Sequence, residues 1–125
     1  MASIERSILW VDDEIDLLRP HILYLRGKGY RVTPISNGAD ALELIARDDF
    51  DVILLDVMMP GMGGLAVLEE IQRQRPGQAV IMITKSEEEN LMNEALGRRF
   101  TDYLIKPVHP SQIWMAIKKV LEARA

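Results

Sequence analysis

Four apolar runs along the chain each end on a chemically useful polar residue. Ile8-Leu9-Trp10-Val11 ends on Asp12 and Asp13, Val52-Ile53-Leu54-Leu55 on Asp56, Val80-Ile81-Met82-Ile83 on Thr84, and Tyr103-Leu104-Ile105 on Lys106. Between the runs, apolar residues recur at helical spacing, which is the pattern of repeated strand–helix units around a parallel sheet. The pattern predicts five strands and five helices. The first strand is Ser7 to Val11, and the helix after it places Ile15, Leu18, Ile22 and Leu25 on one face before Gly27 and Gly29 end it. Pro20 removes a backbone donor from that helix and crowds the carbonyl four residues back, so a bend or a late start near Asp16 is expected.

Tyr30 to Ile35 reads as the second strand, and Pro34 within it cannot donate a ladder hydrogen bond, which confines the strand to a sheet edge. A flavodoxin-like doubly wound sheet of strand order 2-1-3-4-5 has its second strand at an edge, so α/β of this kind is the predicted fold class. The second helix follows Asn37 and Gly38 and buries Ala41, Leu42 and Ile45. Strand three, Asp51 to Leu55, shows no alternation, as expected of a strand covered on both faces. Pro60, Gly61, Gly63 and Gly64 mark an irregular loop from Met58 onward. A helix from about Leu65 to Arg75 stops at Pro76 and Gly77. Strand four is Ala79 to Ile83, and Ser86 with Glu87, Glu88 and Glu89 reads as a capped helix start. Asp102 to Ile105 is the fifth strand. Pro110 opens a last helix with Ile113, Ala116, Ile117, Val120 and Leu121 inward.

With 125 residues, 48% of them hydrophobic, and no repeat or linker, residues 1–125 read as one domain. The net charge of −4 and the lack of a basic run argue against direct nucleic-acid binding, Arg98 and Arg99 being an isolated pair. No cysteine is present, so disulfides and thiolate zinc sites are excluded, and a cytoplasmic location fits. No apolar stretch is long enough to span a membrane and the first residues lack a signal-peptide layout, so no membrane association is expected.

In an open α/β sheet the ligand crevice lies outside the carboxyl ends of the strands, so the four polar strand ends converge on one site. Three clustered carboxylates call for a hard divalent cation such as Mg²⁺, while a hydroxyl and an ammonium suit a phosphoryl group. Asp56, ending the central strand, is the candidate nucleophile for an aspartyl phosphate. Asp13 and Asp56 are expected as direct metal ligands, Asp12 through a water, and a backbone carbonyl near Met58 as a further donor. Lys106 would pair with one phosphoryl oxygen and Thr84 would donate a hydrogen bond to another. Taken singly, each of these residues is equally well explained by strands ending at a surface, and it is their coincidence that favours function. His21 and His109 lack partner spacing and read as ordinary surface or helix-face residues. The seven methionines and Trp10 read as core, with Trp10 on the face of Asp12.

Asp12-Asp13-Glu14, Leu55-Asp56-Val57-Met58-Met59-Pro60, Thr84 and Lys106-Pro107 together resemble the response-regulator receiver domains of two-component signalling, over essentially the whole chain. The resemblance implies a switch that accepts phosphate on Asp56 from a sensor histidine kinase or phosphotransferase and catalyses only its own phosphorylation and dephosphorylation. It assigns Asp12 and Asp13 to the metal, Met58 to a carbonyl ligand, Thr84 to the switch hydroxyl, Lys106 to the phosphate-pairing lysine and Tyr103 to the aromatic that turns inward on activation. A homodimer through the fourth helix, fifth strand and last helix is a common outcome in that family.

Two positions depart from the family pattern. Lys85 stands where a small residue is usual, and Gly63 where Asp is frequent; from Lys85 a longer-lived aspartyl phosphate is expected. The stretches Thr84 to Glu89 and Asp102 to Val108 also resemble receivers joined to a PglZ-type, alkaline-phosphatase-like output domain, which would make this the N-terminal receiver of a longer regulator. A stand-alone receiver fits equally well. The alternatives are a haloacid-dehalogenase-like phosphatase, which needs a second Asp where Met58 stands, a flavodoxin, which needs a phosphate loop where Asp12-Asp13-Glu14 stands, and a degenerate receiver acting only as a binding module.

Overall fold

The computed structural model describes residues 5–57, 59, 61–85 and 101–124. The helix expected from Ser86 onward and the carbonyl of Met58 lie outside them. Five parallel strands form one sheet of order 2-1-3-4-5: β1 (Arg6–Val11), β2 (Tyr30–Ile35), β3 (Val52–Asp56), β4 (Val80–Thr84) and β5 (Asp102–Ile105). Helices α1 (Arg19–Gly27), α2 (Gly38–Arg47), α3 (Gly64–Gln74) and α4 (Pro110–Arg124) connect or cover them.

Side chains alternate between two buried layers because successive strand residues point to opposite faces. Ile8, Trp10, Leu54, Ile81 and Ile83 pack beneath α1 and α4, against Ile22, Leu25, Ile113 and Ile117. Leu9, Val11, Ile53, Leu55 and Met82 pack beneath α2 and α3, against Ala41, Ile45, Val67, Leu68 and Ile71. The central strands β3 and β4 are buried along their full length, which is why their sequences show no alternation. β2 pairs with β1 alone, Pro34 lying opposite Trp10, and occupies the edge that its proline requires.

Of the two alternatives for the first helix, a bend or a late start, the structure shows the late start, at Arg19 and not near Asp16. Ile15–Leu18 form a 3-10 turn, and the α-helix begins only at Arg19, with Pro20 in its first turn. A proline there needs no intrahelical donor, so the helix starts late and no interior bend is required. Asn37 caps α2, its side chain accepting from the backbone N–H of Asp40 at 2.8 Å. Gly61, in the irregular loop expected after β3, adopts the left-handed φ of +74°. Tyr24 and Trp114 meet edge to face between α1 and α4, and the Lys28 ammonium lies 4.3 Å from the centre of the Trp114 ring.

Candidate functional site

The strands deliver their terminal side chains to one edge. One carboxylate oxygen from each of Asp12, Asp13 and Asp56 lies within 4.8 Å of the other two. Asp12 and Asp56 are buried and Asp13 is exposed, so the cluster is open to solvent on one side. Asp12 is held on both oxygens: Oδ1 accepts from the Glu14 backbone N–H at 2.8 Å, and Oδ2 accepts from Lys106 Nζ at 3.1 Å. The same ammonium stands 3.7 Å from Asp56 Oδ2. Burial, the largest single influence on Lys106, would draw its pKa down. The charges of Asp12 and Asp56, the hydrogen bond to Asp12 and the charge of Glu14 outweigh that effect and hold the group above the ordinary lysine value of 10.5.

Thr84 is buried at the end of β4, and its carbonyl accepts the Lys106 backbone N–H at 2.7 Å, fixing the two residues relative to one another. The Lys106–Pro107 peptide bond is cis. Tyr103 lies on β5 beside Met82 and is 40% exposed. The structure therefore brings Asp12, Asp13, Asp56 and Lys106 together, sets Thr84 beside them, and leaves Tyr103 at the surface. Hard carboxylate oxygens at this spacing fit a small divalent cation better than a soft metal.

The family model for the response regulator receiver domain matches residues 8–118. The chain belongs to that family. Among curated relatives it is 32% identical over 117 residues to the transcriptional regulatory protein ResD of Bacillus subtilis, covering 94% of this chain and 48% of ResD. It is 35% identical over 121 residues to the transcriptional regulatory protein ZraR of Klebsiella oxytoca, covering 97% of this chain and 27% of ZraR. The receiver thus spans about half or less of the length of these relatives. Among solved structures, a CheY-like receiver domain protein from Methanospirillum hungatei superposes with a TM-score of 0.86 at 30% identity, covering 96% of both chains. The chemotaxis protein CheY4 of Vibrio cholerae gives a TM-score of 0.83 at 30% identity, over 94% of this chain and 100% of that one. As a receiver of two-component signalling, the chain carries its acidic cluster where the fold places a ligand crevice.

Two features escaped the sequence. Lys85, already conspicuous there, pairs its Nζ with Glu14 Oε1 at 3.7 Å, and both residues line a cavity of about 520 Å³ beside Asp12 and Lys106. His21, read as an ordinary surface or helix-face histidine, lines the same cavity and reaches the Val108 carbonyl oxygen at 2.8 Å. Neither contact leaves a sequence signal, because each joins segments far apart in the chain. Gly63 is the N-cap of α3 and supplies no side-chain cap, so the family's frequent Asp at this position would add one here. Among the described residues no helix is long and apolar enough to cross a membrane.

Proposed function

We propose that Asp56 is the phosphoacceptor of this receiver and that Asp12, Asp13 and Asp56 hold Mg²⁺ beside it. The observation that carries this reading is the convergence of three carboxylates and the Lys106 ammonium on one strand edge. Attack by an Asp56 carboxylate oxygen on the phosphorus of a phosphohistidine forms the O–P bond of a mixed anhydride as the P–N bond breaks. The imidazole leaves with the electron pair of that bond, protonated on nitrogen. The bound cation would neutralise charge on the phosphoryl oxygens during transfer. Lys106 supplies a second positive charge to the product, and Thr84 donates its hydroxyl to another phosphoryl oxygen.

The switch reading follows from the same residues. Phosphorylation draws Thr84 toward Asp56, and Tyr103, 40% exposed in this structure, moves inward to occupy the space vacated. The face that changes includes β5 and α4, where the 57% exposed Met115 lines a groove together with Leu104 and Ala116. A homodimer through that face is the self-association we favour. The donor is a sensor histidine kinase or phosphotransferase, the setting is the cytoplasm, and residues 1–125 act as one phosphoacceptor domain that turns over no external substrate. An output domain, of PglZ type by the resemblance of the Thr84 and Lys106 segments, would follow the receiver.

Incubation with Mg²⁺ and a small phosphodonor tests the central assignment. Wild type should gain one phosphoryl group and Asp56→Asn none; labelling that survives the substitution discards the assignment.

A further inference from the structure

His21 lies in the first turns of α1 and reaches the loop after β5, 87 residues away in sequence, where its Nε2 stands 2.8 Å from the Val108 carbonyl oxygen. A carbonyl only accepts, so Nε2 carries the proton and the imidazole donates. The same ring meets the indole of Trp10 edge on, with centroids 6.2 Å apart and planes at 80°. Trp10 is two residues before Asp12, and Val108 is two residues after Lys106. One imidazole therefore touches both segments whose side chains meet at the acidic cluster.

The loop from Lys106 to His109 is tied at its two ends. The Lys106 backbone N–H donates to the Thr84 carbonyl at 2.7 Å, and the His109 backbone N–H donates to Gln112 Oε1 at 2.7 Å. The bond from His21 holds its middle. β5 is short and only partly buried, so packing alone constrains this loop less than it does the ends of β3 and β4. Lys106 has a flexible four-carbon stem and must still bring its ammonium to two carboxylates at once.

We propose that His21 is a positioning residue for Lys106: its hydrogen bond to the Val108 carbonyl holds the lysine-bearing loop so that the ammonium stays on Asp12 and Asp56. The proposal deepens the reading of Asp56 as phosphoacceptor and rests on it for the kinetic effect, whereas the effect on Lys106 itself is independent of phosphorylation.

Two substitutions separate the hydrogen bond from the ring. His21→Phe keeps an aromatic against Trp10 and loses the donor, while His21→Gln keeps a donor and loses the ring. With acetyl phosphate and saturating Mg²⁺, His21→Phe should label about 2- to 10-fold more slowly than wild type, the range that one hydrogen bond confers. His21→Gln should label close to the wild-type rate. In a Lys106→Ala background, His21→Phe should cost nothing further, because the residue acts through the lysine. Without phosphodonor or metal, the Lys106 ammonium signal in the ¹⁵N spectrum should broaden in His21→Phe and persist in His21→Gln.

A wild-type rate in His21→Phe, an equal loss in both variants, or an undiminished loss in the Lys106→Ala background would overturn the proposal, as would an unchanged Lys106 signal in His21→Phe. Failure of wild type to label on Asp56 would instead remove the phosphoacceptor reading, and the Lys106 signal would still decide the role of His21.

Discussion

Gly64 packs against the end of β3 so closely that a methyl group on it would overlap the carbonyl oxygen of Asp56 and stand 2.7 Å from Val57 Cα. The Gly64 backbone N–H also donates to the Val57 carbonyl at 3.0 Å, so the start of α3 is fastened to the strand that carries the proposed phosphoacceptor. The opposing atoms are backbone and cannot rotate away. Gly64→Ala should therefore destabilise the domain by about 1–3 kcal/mol, the cost of overpacking a filled site, and should also disturb Asp56. At Gly63, where a Cβ would meet open space, Gly63→Ser should be neutral or slightly stabilising, since Ser is a better N-cap. Urea unfolding of the two variants makes the comparison.

Tyr30 makes stability fall in alkaline solution. Burial, the largest influence, raises its pKa above the ordinary 10.0, and the hydrogen bond with Trp114 and the charge of Arg6 only partly oppose it. The folded chain then keeps the phenol proton to higher pH than the unfolded chain, so stability falls as pH rises. The contribution is complete below the ordinary tyrosine value and is lost as pH climbs through the raised one. Lys106, also raised, acts with the same sign. The urea midpoint of wild type should fall as pH rises past the ordinary tyrosine value of 10.0, and that of Tyr30→Phe should fall less.

A divalent cation held by this cluster would compete with the Lys106 ammonium for the same carboxylates. Lys106 Nζ stands 3.1 Å from Asp12 Oδ2 and 3.7 Å from Asp56 Oδ2, so a bound Mg²⁺ would lie close to a like charge. Lys106→Met keeps most of the stem and removes the charge. It should tighten Mg²⁺ binding several-fold in calorimetric titration, whereas Asp13→Asn should weaken it. Lower affinity in Lys106→Met would show that the lysine organises the carboxylates more than it competes for them.

How far the sequence revealed this molecule follows from the range over which each feature is determined. The apolar runs and their polar ends predict the sheet and its functional edge because strand burial is a local pattern, and Pro34 identifies an edge strand by chemistry alone. The start of α1 was misplaced because Ile15 and Leu18 satisfy the spacing of a 3-10 turn as well as that of an α-helix, and a proline in the first turn leaves the choice to the fold. The contact of His21 left no sequence signal because its partner is a backbone carbonyl, which any residue could supply. The pairing of Lys85 with Glu14 likewise depends on the approach of two loops, although Lys85 was visible as the residue out of pattern.

That pairing bears on how long the phosphoryl group would last. Lys85 and Glu14 meet at 3.7 Å on the rim of the cavity beside Asp12, with side chains 55% and 49% exposed. An ion pair so open to water is worth about 0.2–1 kcal/mol, so Glu14 restrains Lys85 without immobilising it. Once a phosphoryl group with its greater negative charge stands on Asp56, the lysine can leave Glu14 for it and its stem can obstruct the approach of a hydrolytic water. Lys85→Ala should then shorten the life of the aspartyl phosphate several-fold. Glu14→Gln, which frees the lysine, should lengthen it or leave it unchanged. Decay of the labelled protein after removal of the phosphodonor measures both, and raising the salt concentration should weaken the Glu14 contact and narrow the difference between wild type and Glu14→Gln. Unchanged or slower decay in Lys85→Ala would sink this account of the residue.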